Sequence, residues 1–191
     1  MERELMVTGI GGQGVQLAAR VVTQAALLEG HEVQLFGSYG GMMRGGETEA
    51  TVIVADGPIT SPPTIERTWS AIVMHHEHWE PTRRRLRPGS VVLLNSTVFT
   101  GELDRTGLVV VDVPASEIAV AVGNVMAASM VMTGAYAAVT ELVNLDSLAE
   151  AVAHVLPPYR RQHIELNVRA LHAGFAAAPA RLAPAWTVVR S

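Results

Sequence analysis

A glycine-rich motif near the N-terminus is the first pattern in this sequence that could do chemistry. It reads Gly9-Ile10-Gly11-Gly12-Gln13-Gly14, follows a short apolar strand and precedes an apolar helix, the context in which such motifs bind anions. Glycines there permit a tight turn and let backbone N–H groups approach an anion at the helix N-terminus. The same glycines could instead serve only the close packing of strand against helix.

A dinucleotide site would need a further feature, an acidic residue at the end of the second strand that holds the ribose. That stretch reads Gln34-Leu35-Phe36-Gly37-Ser38, and Glu32 lies at the start of the strand instead. Nicotinamide or flavin binding is therefore the less favoured interpretation of the motif.

A second glycine-rich loop, residues 38–46, carries an arginine between glycines. Arg44 is a permanent cation whose planar guanidinium can donate two hydrogen bonds to a phosphate or carboxylate. In a parallel sheet this loop lies beside the first one, at the carboxyl edge where such folds bind ligands. We therefore expect Arg44 to contact a ligand or a partner chain, although a solvated arginine is the alternative.

Four polar residues, His75-His76-Glu77-His78, raise the question of a metal site. Zinc ligands usually come from separated positions that converge on the ion. Adjacent histidines at the end of a strand are expected to point in different directions. We predict no metal site here, but a polar loop or a subunit contact. The basic run Arg83-Arg84-Arg85 is likewise expected to be solvated or to face a partner.

Two residue types are missing from the sequence, and this excludes several mechanisms. The chain has no cysteine, so it cannot hold an iron–sulfur cluster by thiolate, form a disulfide or use a cysteine nucleophile. All 14 basic residues are arginine, which excludes a Schiff base and the lysine of a P-loop. The net charge of −4 argues against nucleic acid binding.

The elements that position these residues alternate between strands and helices. Apolar runs predict strands at residues 5–8, 32–36, 47–55, 69–74, 91–94 and 108–113, with a short edge strand at 58–60. Periodic patterns predict helices at residues 15–29, 116–122, 125–141, 145–155 and 159–176, and a polar helical crossover at 75–87. Asp146 is a candidate helix cap. This order predicts an α/β fold, a three-layer sandwich with a mostly parallel, Rossmann-like sheet, beginning with a βαβ unit and ending in helices.

The chain is expected to form one domain over residues 1–176, followed by an Ala/Pro-rich tail over residues 177–191. We expect the tail to be mobile or partner-bound because Pro179 and Pro184 prevent a continuous helix. Residues 118–139 lack charge, but their Ala and Gly content favours a buried helix over a membrane span. A cytoplasmic location is the default expectation.

Taken together, the motifs resemble one family, the gamma subunit or gamma domain of 2-oxoacid:ferredoxin oxidoreductases. The resemblance covers roughly residues 4–175. Beyond the two glycine loops, its elements are Pro88-Gly89, Asn95-Ser96, Gly123-Asn124, Met130-Val131-Met132, Gly134-Ala135-Tyr136, Asn167 and Ala170. Three residues depart from the family pattern, because Met42, Ser129 and Thr133 stand where Glu, Asn and Leu are usual.

The resemblance implies a function within a complex. Such complexes decarboxylate a 2-oxoacid on thiamine diphosphate, pass electrons through iron–sulfur clusters to ferredoxin and transfer the acyl group to coenzyme A. It places the thiamine diphosphate and the clusters on alpha, beta and ferredoxin-like partner subunits, and no cofactor on this chain alone. The form of the second loop looks most like the 2-oxoglutarate and branched-chain branches.

For this chain the resemblance implies a role in assembly and in coenzyme A contacts, with no catalytic residue of its own. The candidate contact residues are Gly9, Gly11, Gly12, Gln13, Gly14, Tyr39, Arg44, Gly45, Gly46, Asn95 and Asn124. Three alternatives stay open at this point. They are a stand-alone Rossmann-like nucleotide-binding oxidoreductase, the small subunit of an indolepyruvate-type enzyme, and a non-enzymatic assembly module.

Arg44→Ala is the variant that tests the second loop. It should weaken coenzyme A use or assembly of the complex by about ten- to a hundredfold, because charge-assisted hydrogen bonds contribute roughly 1.5–3 kcal/mol. Arg44→Lys should rescue only in part, since an ammonium lacks the bidentate geometry. A normal coenzyme A Michaelis constant together with normal assembly in the alanine variant would show that Arg44 is merely solvated.

Overall fold

The computed structural model describes residues 1–39, 46–62 and 65–186, with the backbone alone at residues 38 and 39. These residues form one six-stranded sheet and six α-helices. The strands are β1 (Glu2–Ile10), β2 (Glu32–Tyr39), β3 (Glu47–Ala55), β4 (Thr68–Val73), β5 (Leu86–Asn95) and β6 (Val109–Val113). The helices are α1 (Val15–Leu28), α2 (Trp79–Arg83), α3 (Ala115–Val122), α4 (Ala128–Thr140), α5 (Leu145–Val155) and α6 (Ile164–Ala177). Three 3-10 turns, at His76–His78, Val125–Ala127 and Pro158–His163, precede α2, α4 and α6.

The strand order across the sheet is β2-β3-β1-β4-β5-β6. The pairs β1–β4, β4–β5 and β5–β6 are parallel, which confirms the predicted α/β fold with a mostly parallel sheet. β3 is antiparallel to both β1 and β2 and lies between them. α1 therefore connects two strands that run in the same direction but do not touch, so the predicted βαβ unit is split by an inserted strand.

The predicted edge strand at residues 58–60 does not form. The backbone N–H groups of Thr60 and Ser61 instead donate to the carboxylate of Glu2, at 2.6 and 3.3 Å. Hydrogen bonds from Ser61 and Thr60 lower the pKa of Glu2 to about 2. The segment is thus held by a side chain of β1 and not by a strand ladder.

Several helix boundaries also differ from the prediction. Asn144, not Asp146, occupies the N-cap position of α5, and Asp146 lies in the first turn, where a carboxylate still favours the helix dipole. The helix predicted from residue 125 begins as a 3-10 turn, because the side chain of Asn124 accepts a hydrogen bond from Met126 N–H at 2.9 Å. The crossover after β4 is helical only at residues 76–83, and residues 88–89 lie within β5.

The sheet is covered on both faces, but unequally. On one face α1 and α4 contact the strands, and α3, α5 and α6 pack against these two helices, with the main core between them. The other face buries a smaller cluster in which Met6, Val73 and Leu94 pack around Trp79 of α2, with Phe99 and Leu103 from the following connection. The face with the main core, called the thick face below, carries the long helices that shape the candidate site.

Helix α4 is the centre of the thick face, since all of its thirteen residues are buried. It has no exposed face, because the sheet contacts one flank and α6 the other. The hydroxyl of Tyr136 lies 2.8 Å from Ser70 Oγ of β4, which fixes the helix on the sheet. No helix within the described part of the chain is long and apolar enough to cross a membrane.

Two glycines allow α4 and α6 to cross with their backbones in contact. A Cβ atom on Gly134 would overlap the carbonyl oxygen of Leu171, and one on Gly174 would overlap the carbonyl oxygen of Val131. Neither glycine has a positive φ angle. Glycine is therefore required at both positions by the lack of space for a side chain, and not by the backbone conformation.

Part of the predicted tail is bound to the domain. The N–H groups of Arg181, Ala183 and Ala185 donate to the carbonyls of Ala138, Val139 and Thr140 at 2.7, 3.0 and 2.6 Å. These carbonyls belong to the last turn of α4, which has no intrahelical donors. The expectation of a mobile or partner-bound segment is therefore wrong for residues 178–186, because backbone N–H groups of this segment cap α4.

Trp186 closes this C-terminal cap. Its indole Nε1–H donates to the carbonyl of Leu142 at 3.1 Å, and its ring stacks on His31 with the centroids 4.9 Å apart. Residues 187–191 lie outside the described part of the chain. The domain boundary at residue 176 stays a prediction.

Gly134→Ala should destabilise the domain because the two helix backbones must move apart. Overpacking of this kind costs about 1–3 kcal/mol, which corresponds to a fall of about 2–12 °C in melting temperature for a chain of this size. Gly57→Ala is the matched control, since a Cβ there would meet no atom within 4 Å. Equal melting temperatures for the two variants, measured by circular dichroism, would contradict the close crossing.

Candidate functional site

The first glycine loop is organised by the side chain of Gln13. Its Oε1 accepts a hydrogen bond from Ile10 N–H at 2.9 Å, and its Nε2 donates to the carbonyl of Met74 at 3.4 Å. The amide thus joins the ends of β1 and β4 at the carboxyl edge of the sheet. A Cβ on Gly9 would lie only 2.7 Å from Gln13 Oε1, so this glycine makes room for the amide.

The last glycine of the loop opens helix α1. Gly14 is its N-cap, with φ 79°, a left-handed conformation that favours glycine. A Cβ there would also overlap Ser129 Oγ at the start of α4. Both constraints select glycine at this position, so part of the motif serves packing, as the alternative interpretation expected.

The N-terminus of α1 offers backbone N–H groups that could bind an anion. It has no side-chain cap and no acidic residue in its first turn. Within the described residues no acceptor meets the N–H groups of Val15, Gln16 and Leu17. Such N–H groups, together with the helix dipole, favour negative charge.

A cleft of about 350 Å³ opens directly beside this helix end. Two cationic or potentially cationic side chains, Arg160 and His163, line it from the 3-10 turn before α6, and no carboxylate among the described residues does. The rest of the lining consists of Gly12, Gly14, Leu17, Asn124, Met126, Ala127, Leu156, Leu166 and Asn167. The lining of the cleft therefore combines the start of α1, positive charge from a separate element and apolar side chains.

The two predicted asparagines have structural roles at this edge. Asn95 is buried, and its side chain accepts from Ser116 N–H at 3.3 Å and donates to Ser116 Oγ at 2.9 Å, which caps α3. Asn124 caps the turn before α4 and also faces the cleft. A second, smaller cavity of about 110 Å³ lies between Gly12, Gln13 and Asn95.

The two glycine loops are neighbours, as the sequence predicts. The N–H of Gly11 donates to the carbonyl of Gly46 at 2.9 Å. Arg44 and Gly45 lie outside the described residues, and so does the side chain of Tyr39, whose backbone ends β2. Their proposed contacts therefore stay predictions.

Sequence reasoning missed the far wall of the cleft. Arg160 and His163 lie at the start of the helix predicted at residues 159–176, and they are nearly 150 positions from the glycine loop. Asn167, whose Nδ2 donates to the carbonyl of His163 at 2.8 Å, was the one signal available, since it belongs to the family resemblance.

The adjacent histidines do not point in different directions. The rings of His75 and His76 lie 4.4 Å apart, and one ligand atom from each lies within 4.8 Å of the other and of a Glu77 carboxylate oxygen. The expectation that these histidines point in different directions is therefore wrong, because the 3-10 turn brings the side chains of all three residues close together.

Comparison with known proteins places the chain in one group. Residues 4–177 match the sequence profile of the family described as pyruvate ferredoxin/flavodoxin oxidoreductase. The 2-oxoglutarate synthase subunit KorC of Methanothermobacter marburgensis is 30% identical over 181 residues, which cover 91% of this chain and 95% of that protein. The indolepyruvate oxidoreductase subunit IorB of Archaeoglobus fulgidus is 26% identical over 196 residues, covering 92% of this chain and 94% of that one.

A solved structure agrees with these relatives. The gamma subunit of a keto/oxoacid ferredoxin oxidoreductase from Geobacter sulfurreducens superposes with a TM-score of 0.79 at 28% identity, covering 92% of this chain and 98% of that one. The likeness extends over nearly the whole of both chains, so the sheet, the helices and the edge that carries the cleft belong to the shared fold.

Proposed function

This chain belongs to the pyruvate ferredoxin/flavodoxin oxidoreductase family and is a gamma-type subunit of a 2-oxoacid:ferredoxin oxidoreductase, and from this premise we propose what its cleft does. The cleft beside the glycine loop receives a phosphate of coenzyme A when the complex is assembled. The chain therefore contributes binding and assembly, while the oxidation takes place on its partners.

One observation carries the proposal: the uncapped N-terminus of α1 faces the same cleft as Arg160 and His163. Backbone N–H groups and a guanidinium are the donors that phosphate oxygens prefer. The apolar walls suit a ligand that has an uncharged portion beyond its phosphate groups. Coenzyme A combines these two parts. A partner carboxylate is the second candidate, because it would use the same donors.

An exposed apolar surface that includes Met126, a residue of the cleft lining, supports a position at a subunit interface. Val120, Val125 and Met126 lie on α3 and the turn before α4, and they are 62%, 49% and 61% exposed. Large apolar side chains exposed together are typical of a surface that a partner covers. A ligand in the cleft would then be enclosed by this chain and its partner.

The remaining cofactors are proposed to lie on other subunits. A chain without cysteine cannot provide thiolate ligands to iron–sulfur clusters. We assign the clusters to a ferredoxin-like subunit, thiamine diphosphate to the alpha and beta subunits, and ferredoxin to the role of acceptor. The relatives include both 2-oxoglutarate and indolepyruvate enzymes, so the class assigned to the substrate is a 2-oxoacid. A cytoplasmic location stays a prediction.

Arg160→Ala tests the cleft in the reconstituted complex. Loss of a charge-assisted contact should raise the Michaelis constant for coenzyme A by about ten- to a hundredfold. Turnover at saturating coenzyme A should change little, because the guanidinium binds the phosphate in the ground state and the transition state alike. Arg161→Ala is the matched control, since Arg161 is next to Arg160 in the sequence, is exposed and does not line the cleft.

An unchanged Michaelis constant in Arg160→Ala would contradict coenzyme A binding at this position. Failure of the variant to join the complex would instead favour the partner carboxylate, and the two outcomes are separated by gel filtration before the kinetic assay.

The isolated chain should not oxidise any 2-oxoacid. It lacks thiolates for a cluster, and its sequence has no thiamine diphosphate-binding signature. The measurement is reduction of a dye acceptor by the purified chain supplemented with thiamine diphosphate and coenzyme A. Turnover above the background without protein would overturn the proposed division of labour.

A further inference from the structure

A cluster of nitrogen and oxygen ligands lies outside the cleft, directly after β4. One ligand atom each from His75, His76 and Glu77 lies within 4.8 Å of the other two. Glu77 Oε2 is 3.9 Å from His75 Nδ1, and Glu77 N–H donates to the same ring nitrogen at 3.4 Å. The Nδ1 of His75 therefore accepts a long hydrogen bond from a backbone N–H, which a metal ion would replace.

We propose that His75, His76 and Glu77 bind a divalent transition-metal ion of the zinc class. Two imidazoles and one carboxylate form a three-ligand set that leaves the fourth tetrahedral position to water. Imidazole nitrogen suits Zn²⁺, Ni²⁺ or Cu²⁺, whereas Ca²⁺ and Mg²⁺ select oxygen ligands. The site is separate from the coenzyme A proposal and does not depend on it.

The distances are close to those that an ion needs. With metal–ligand bonds of about 2.0–2.1 Å, tetrahedral ligands lie roughly 3.4 Å apart. His75 Nδ1 and Glu77 Oε2 are 3.9 Å apart, so a shift of about half an ångström closes this pair around an ion. His76 and Glu77 are exposed, and their side chains can rotate to complete the set.

A bound ion would also affect the glycine loop, because the metal cluster directly follows a residue that contacts this loop. The residue before the cluster, Met74, accepts the hydrogen bond from Gln13 that organises the glycine loop. A metal bound to the next three residues would restrain the turn on which this loop rests.

The test uses the untagged, chelator-treated full chain and Zn²⁺ as the probe. Calorimetry should give one equivalent of saturable binding. Loss of an outer-shell partner lowers metal affinity by about ten- to a hundredfold. Loss of a direct ligand in His76→Ala or Glu77→Gln should lower the Zn²⁺ affinity by at least as much. Co²⁺ should give a visible ligand-field band that is lost in His76→Ala. His154→Ala is the matched control, because His154 lies 3.6 Å from Glu150 on the exposed side of α5, and no third ligand joins them among the described residues.

Three results would overturn the proposal. They are the absence of saturable binding to the wild-type chain, an affinity unchanged in both cluster variants, and a loss in His154→Ala equal to that in His76→Ala. Thermal melting of each variant separates loss of the site from loss of the fold. His76 and Glu77 are exposed, so the melting temperatures should be unchanged.

Discussion

Close packing around the buried helix α4 is the constraint on which the rest of the structure depends. The helix is covered on every side, and three of its contacts are tightly constrained. Two of them leave no space for an additional carbon atom, and the third supplies hydrogen-bond donors that the helix end requires. Gly134 meets the backbone of α6, Ser129 meets Gly14, and N–H groups of residues 181–185 satisfy its last carbonyls. A helix with no polar face requires such neighbours, because no side of it can be left to water.

This constraint also shapes the candidate site. Since Ser129 lies against Gly14, the start of α4 determines where α1 can begin, and α1 provides the free N–H groups. The crossing of α4 with α6 then brings the turn at Pro158–His163 to the opposite wall of the cleft. Packing and binding are therefore linked through the same helix.

The local parts of this arrangement could be predicted from the sequence. Apolar runs such as residues 91–94 identified strands buried on both faces, and the glycine motif identified the loop between β1 and α1. The insertion of β3 between β1 and β2 could not be predicted, because strand order depends on contacts between distant parts of the chain. Composition misled at residues 178–186, where Ala and Pro suggest a linker, but the unpaired carbonyls of α4 require donors. Arg160 and His163 carry no local pattern, so only the fold brings them to the glycine loop.

Electron cryomicroscopy of the assembled complex in the presence of coenzyme A would test the central claim most directly. The account predicts phosphate density within hydrogen-bonding distance of the N–H groups at the start of α1 and of the Arg160 guanidinium, with a partner subunit covering Val125 and Met126. Coenzyme A density at another position, with a solvent-filled cleft or a partner carboxylate on these donors, would contradict it.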